Sequence, residues 1–169
     1  MRWHRQVAMA ITLLIAAFLA TPALAKKAST PEDRAKAVRL ARELEQDPMT
    51  EDSIDKRKWL FKLYQDVPDI SVTICDLLGP MPGDDHPFFP FVLIQSMFSQ
   101  GAFIIEHPDL TNDKVSAQTA GMLGSLAVYE RFVKVRSDAR LPYLDDMLKR
   151  RDDGTLGKHM VEVVEKGCK

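Results

Sequence analysis

The sequence predicts an all-α fold: a single compact domain of six or seven helices around a central apolar helix at about 88–106, with no sheet. Three observations carry this. The run 88–105 (FFPFVLIQSMFSQGAFII) is the most apolar after the N-terminal segment, and its side chains recur at helical spacing. Helix-start residues stand before the periodic stretches, as in Thr30-Pro31-Glu32-Asp33. The β-branched triplet Val72-Thr73-Ile74 has no visible partner strand.

On a helical wheel the central run divides. Leu93, Ile94, Met97, Phe98, Gly101, Ala102, Ile104 and Ile105 fill one half, whereas Gln95, Ser96, Ser99 and Gln100 fall on the other. Burial is expected on the apolar half, with a mildly polar cover opposite. The glutamines, serines and glycine argue against a bilayer-spanning segment, which needs about 20 mostly apolar residues.

The N-terminal segment reads as an address. Arg2, His4 and Arg5 precede an apolar run from Val7 to Ala20, and Ala23-Leu24-Ala25 is a small-x-small site. That layout is a secretory signal peptide cleaved after Ala25, so the expected location is periplasmic or secreted. A membrane anchor is the alternative, but the run is short and no stop-transfer pattern follows. No cysteine near the site suggests a lipid anchor.

Removing those 25 of 169 residues leaves 144, enough for one domain with a sizeable core. It also removes Arg2 and Arg5 and no acid, taking the formal net charge from −1 to −3. An acidic balance argues against nucleic acid, whose phosphates need a basic surface. It argues equally against stable attachment to an anionic membrane.

Cys75 and Cys168 are the two cysteines of the chain. In an exported protein they are expected to pair, closing a loop over a separation of 93 residues. The alternative is two unpaired thiols, Cys75 buried and Cys168 at a frayed end.

Thr30, Pro31 and the following acids start a helix expected over 31–46, with Ala37, Leu40, Ala41 and Leu44 inward and Pro48 beyond its end. Thr50 with Glu51 and Asp52 starts a second, inward at Leu60, Leu63, Tyr64 and Val67 and flanked by Trp59 and Phe61. These two make a helical hairpin. Asp69 is placed to cap a short third helix with Ile70, Ile74, Leu77 and Leu78 inward, stopped by Gly79-Pro80; a strand through 70–74 is the alternative.

Residues 79–90 (GPMPGDDHPFFP) cannot be regular and form a stiff loop. The central helix follows and ends near Glu106 before Pro108. Thr111 or Asn112 caps the longest helix, about 113–136, with Val115, Met122, Leu126, Tyr129 and Val133 inward. Gly121 and Gly124 lie inside it, each costing about 1 kcal/mol relative to alanine. With Ala117, Ala120 and Ser125 they form a smooth strip, best explained by a close neighbouring backbone, that of the central helix. A ligand pocket over the strip is the other reading. Leu141-Pro142 opens a further helix, and Thr155 a last one ending at Gly167-Cys168.

Candidate chemistry is sparse. Asp84-Asp85-His86 offers three ligand types on a loop but reads as a solvated turn. His159 and Glu162 share a helix face as half of a metal pair, without a second half. Glu106-His107-Pro108-Asp109 places acid, base and acid at a helix end, as acid–base equipment or as end-capping. Phosphate-binding, hydrolase-elbow, H-E-x-x-H and C-x-x-C motifs do not occur. No cofactor or metal is expected.

Trp59, the run Val67-Pro68-Asp69-Ile70-Ser71-Val72 with Cys75, the run Ile104-Ile105-Glu106-His107-Pro108 and the stretch 121–129 together resemble a group of uncharacterised secreted bacterial all-helical proteins, over about residues 35–168. The resemblance implies export and a helical fold and lends no activity, cofactor or partner.

Two functions stay open. One is an exported, non-catalytic binding or structural protein that meets another protein through the 79–90 loop. There Met81, Phe88 and Phe89 would present apolar area, unless the phenylalanines tuck into the core. The other is a small polar-ligand protein or hydrolase-like enzyme centred on Glu106 and His107, with Gln95, Ser99 and Gln100 lining its site. The two differ in whether those side chains face an open cavity or lie sealed between helices.

Overall fold

A computed structural model describes residues 26–79 and 86–168. The expected signal peptide over 1–25 lies outside the described residues, as do Met81, Asp84 and Asp85. Six α-helices follow one another: α1 Pro31–Gln46, α2 Ser53–Asp66, α3 Phe89–Glu106, α4 Lys114–Val135, α5 Pro142–Asp152 and α6 Leu156–Gly167. Short 3-10 turns, Pro108–Leu110 and Ser137–Ala139, flank α4. The described residues contain no strand.

Local chemistry sets the ends. Thr30 and Asp33 form a reciprocal capping box at α1: the Thr30 hydroxyl accepts from the Asp33 amide at 3.1 Å, and the Asp33 carboxylate accepts from the Thr30 amide at 3.1 Å. At α4 the cap is Asp113, one residue beyond the expected pair, accepting from the Ser116 amide at 3.0 Å. Proline stands at the first turn of α1, α3 and α5, where its missing N–H has no partner to lose.

The expected helix over 69–78 does not form; residues 70–74 run extended. The reason lies far away in sequence. The Gln100 side chain takes the place of a neighbouring strand, accepting from the Thr73 amide at 2.5 Å and donating to its carbonyl at 3.2 Å. Gln118 adds a second donor to the same carbonyl at 2.8 Å. Asp69 accepts from the Ser29 amide and hydroxyl and from Arg34, so it ties the start of α1 to this segment instead of capping a helix. The far end is held by the Cys75–Cys168 disulfide, with Cα atoms 5.2 Å apart.

The central position of α3 is as expected, and burial reaches both halves of its wheel, the apolar one through Phe98, Gly101, Ala102 and Ile104. Its buried positions include Val92, Gln95, Ser99 and Gln100, while Leu93, Ile94, Met97 and Ile105 are only half-buried. The polar half therefore faces inward, between α1, α4 and the extended segment. By length and composition α3 could cross a membrane; half of its residues are covered by the rest of the molecule.

Two apolar clusters share α3. Its C-terminal half, through Phe98 and Ala102, joins Leu40, Leu44, Leu60 and Ile70 of the hairpin side. Its N-terminal half, through Phe89 and Val92, joins Met122, Leu126, Tyr129, Leu144 and Met160 of α4, α5 and α6. The glycine strip of α4 lies against α3. A Cβ on Gly121 would stand 2.8 Å from the Ser96 carbonyl oxygen, and one on Gly124 would run into the Ser99 hydroxyl. Ser125 donates to the Val92 carbonyl at 2.9 Å across the same contact.

Candidate functional site

The polar side chains singled out on α3 are consumed by the fold. Gln95 and Ser99 are wholly buried and Gln100 is 3 % exposed. Gln95 donates to the Ala41 carbonyl at 3.2 Å and to the Ser99 hydroxyl at 3.1 Å, and Ser99 donates to Glu45 at 2.6 Å. Gln100 holds Thr73. These groups lie sealed between elements and line no open cavity of several hundred Å³.

Glu106 and His107 are exposed at the end of α3, and their side chains are occupied separately. Glu106 accepts from Arg42 at 2.6 Å, and the His107 ring rests on Phe103 with centroids 4.6 Å apart. The structure does not bring them together as an acid–base pair. Arg42 also bonds Glu45 at 2.8 Å. Burial opposes its charge, yet the hydrogen bonds to Glu106 and Glu45 outweigh that and hold the guanidinium above its usual value.

The loop phenylalanines turn inward. Phe89 is buried, and the Phe88 ring stacks on Phe132 with centroids 4.3 Å apart. Beside them His86 serves the fold. Its Nδ1 accepts from the Phe89 amide at 3.0 Å and its Nε2 lies 3.0 Å from the Ala139 carbonyl, a pattern the neutral Nε2–H tautomer satisfies at both nitrogens. His159 and Glu162 line a shallow surface hollow with Arg150 and Lys158. No group of three or more His, Cys, Asp or Glu placed to hold a metal ion occurs among the described residues.

The distinctive surface lies one turn past the buried phenylalanines. Pro90, Phe91 and Ile94 of α3 face Ile54, Arg57 and Phe61 of α2 across an apolar groove of about 310 Å³, with Lys58 at its edge. Ile54 is 45 % and Phe61 38 % exposed. Ile54, Arg57, Lys58 and Phe61 stand at i, i+3, i+4 and i+7, so one stripe of α2 forms an entire wall. That spacing was visible in the sequence, but the stronger stripe through Leu60, Leu63 and Tyr64 draws the eye to the opposite face.

Arg57 is the anomaly of this groove. It is 6 % exposed, donates one N–H to the Pro48 carbonyl at 2.8 Å, and lies over the Phe91 ring with its guanidinium carbon 4.7 Å from the centroid. Its Nε is buried without an acceptor, and no carboxylate among the described residues forms an ion pair with it. Burial alone pushes its guanidinium below the usual value, the reverse of Arg42. A larger hollow of about 520 Å³ lies between Arg42, Phe103 and α4, but its one charged group already bridges two carboxylates.

No family profile, curated protein or solved structure matches the chain.

Proposed function

We propose that the chain is an exported, non-catalytic helical binding protein whose contact surface is the groove between α2 and α3. The observation that carries this is the pair of exposed apolar side chains, Ile54 and Phe61, set over a preformed apolar wall. Exposed apolar area that is gathered in one concavity marks a binding surface more often than scattered single residues do. Pro90 and Phe91 extend the reading of the 79–90 loop as a contact region, because the loop delivers them to the groove while Phe88 and Phe89 anchor its end. The internal use of Gln95, Ser99 and Gln100 supports a role for α3 as scaffold.

Export rests on the N-terminal segment, and a disulfide is compatible with it. Cell fractionation with N-terminal sequencing of the mature chain is expected to find Lys26 first in an extracytoplasmic fraction. An uncleaved chain in the cytoplasm would overturn that half of the proposal. For the surface, an environment-sensitive apolar dye is expected to bind the folded protein with one saturable site. Phe61→Ser and Ile54→Ser should each abolish that binding while circular dichroism stays unchanged. Dye binding that ignores both substitutions would place the contact surface elsewhere.

A further inference from the structure

We infer that the extended segment 70–74 pairs with its counterpart in a second copy of this chain, the two strands running antiparallel about a two-fold axis at Thr73. This surface uses none of the residues that line the groove between α2 and α3.

In an extended chain the N–H and C=O of one residue point to the same edge, and those of its neighbours point to the opposite edge. Gln100 takes both main-chain groups of Thr73, and Gln118 adds a bond to the carbonyl, so the Thr73 edge is the inner one. Val72 and Ile74 therefore turn their N–H and C=O groups to the outer edge. No group there meets a partner among the described residues. The segment is open to solvent: Ser71 and Thr73 are exposed, and Ile74, at 65 %, is the most exposed large apolar side chain described.

Such an edge is satisfied by another strand, and the described residues contain none. The edge is, however, complementary to itself. Turned about an axis at Thr73, Val72 faces the partner's Ile74 and Ile74 faces the partner's Val72. Each of these couples exchanges N–H and C=O in both directions, so every outward group finds its mate. Between them Thr73 meets the partner's Thr73 as the couple without main-chain bonds, where side chains come closest and a threonine pair is favourable. Edges that must stay single carry proline or a charge within them. The stretch 70–74 (ISVTI) carries neither; Pro68 and Asp69 stand before it, and Arg34 already neutralises Asp69. A strand this short covers little area, so the dimer is weak and reversible.

The test follows the mature, disulfide-intact protein by sedimentation equilibrium and amide hydrogen exchange as its concentration rises to about 1 mM. A reversible dimer is expected. As it forms, exchange at the Val72 and Ile74 amides should slow at least about threefold, whereas the Thr73 amide, held by Gln100, should exchange at one rate throughout. Ile74→Pro deletes a donor that has no partner within the described chain and follows a residue that is already extended, so the monomer should keep its helical spectrum. It should weaken the dimer at least about tenfold, because a main-chain bond is lost on both sides of the axis. Ile74→Ala keeps the donor and should weaken it less. A protein monomeric throughout would overturn the inference. So would a dimer in which the Val72 and Ile74 amides gain no protection, or one that Ile74→Pro leaves unchanged.

Discussion

The side-chain amide of Gln100 grips both main-chain groups of Thr73, accepting from its N–H at 2.5 Å and donating to its carbonyl at 3.2 Å. One glutamine thereby does for an isolated extended segment what an adjacent strand does in a sheet. Gln100→Ala leaves the Thr73 amide without its acceptor and is expected to destabilise by about 1–3 kcal/mol. Gln100→Glu keeps the acceptor, and Gln118 still serves the carbonyl, so its loss should be smaller. Urea unfolding with hydrogen exchange at the Thr73 amide checks both; equal losses from the two substitutions would contradict this account.

The glycines of the helices predict opposite signs for one substitution. Alanine is the better helix former by about 1 kcal/mol. At Gly121 the new methyl meets the Ser96 carbonyl at 2.8 Å, a backbone atom that cannot swing aside. Gly121→Ala is therefore expected to destabilise by about 1–3 kcal/mol, the usual range for overpacking. Gly124→Ala strikes the Ser99 hydroxyl and should also break its bond to Glu45. Gly157 has open space around its Cβ position, so Gly157→Ala should stabilise slightly, by up to about 1 kcal/mol. Melting temperatures of the three variants check the order.

The Cys75–Cys168 bond closes a separation of 93 residues. Chain entropy puts its contribution at up to about 4–5 kcal/mol. Reduction, or the double substitution Cys75→Ser with Cys168→Ser, is expected to lower the urea midpoint by a corresponding amount with the helical spectrum retained at low urea. A midpoint that does not move would show that the end of α6 is held by packing alone.

Asp69 gives a pH signature. Burial opposes its charge, but the Ser29 hydroxyl and amide with the Arg34 guanidinium outweigh it and hold the carboxyl well below the usual range. A lowered folded value means the contribution is complete above the unfolded value, about 4, and is lost as pH falls through the folded one. Asp69→Asn is expected to destabilise by about 1–2 kcal/mol at pH 7, toward the lower figure because the ion pair is partly exposed. The gap between wild type and variant should begin to close below about pH 4 and vanish in strong acid. A gap constant from neutral to strongly acid pH would rule out the charged contact as its source.

Much of the architecture was legible because its signals are local. Thr30-Pro31 and Pro48 bracket α1, Pro108 closes α3, and Gly121 with Gly124 announced a close helix neighbour that proved to be α3. Other features depend on partners distant in sequence. Helical spacing through Ile70, Ile74 and Leu77 favoured a helix that Gln100 and Gln118 override from elsewhere in the chain. A wheel set Gln95 and Ser99 opposite the apolar half of α3, under a mildly polar cover; the partners themselves, the Ala41 carbonyl and Glu45, are supplied by α1 and are not legible from the helix alone. His86 read as part of a solvated turn because nothing nearby reveals the Ala139 carbonyl it reaches. The α2 wall of the groove was periodic in the sequence, but Arg57 without a carboxylate becomes noticeable only once its neighbours are known.

The disulfide has a mechanical corollary. Residues 75–168 form a covalent ring containing α3, α4, α5 and α6, whereas α1 and α2 hang outside it. The outer pair is fastened by contacts that can each let go, among them Gln95 to Ala41, Glu45 to Ser99, and Arg57 over Phe91. Gentle stress should therefore peel the pair away before the ring loosens. Since α2 supplies one wall of the groove and the ring the other, whatever lodges between them doubles as a clamp on the seam where the molecule first comes apart.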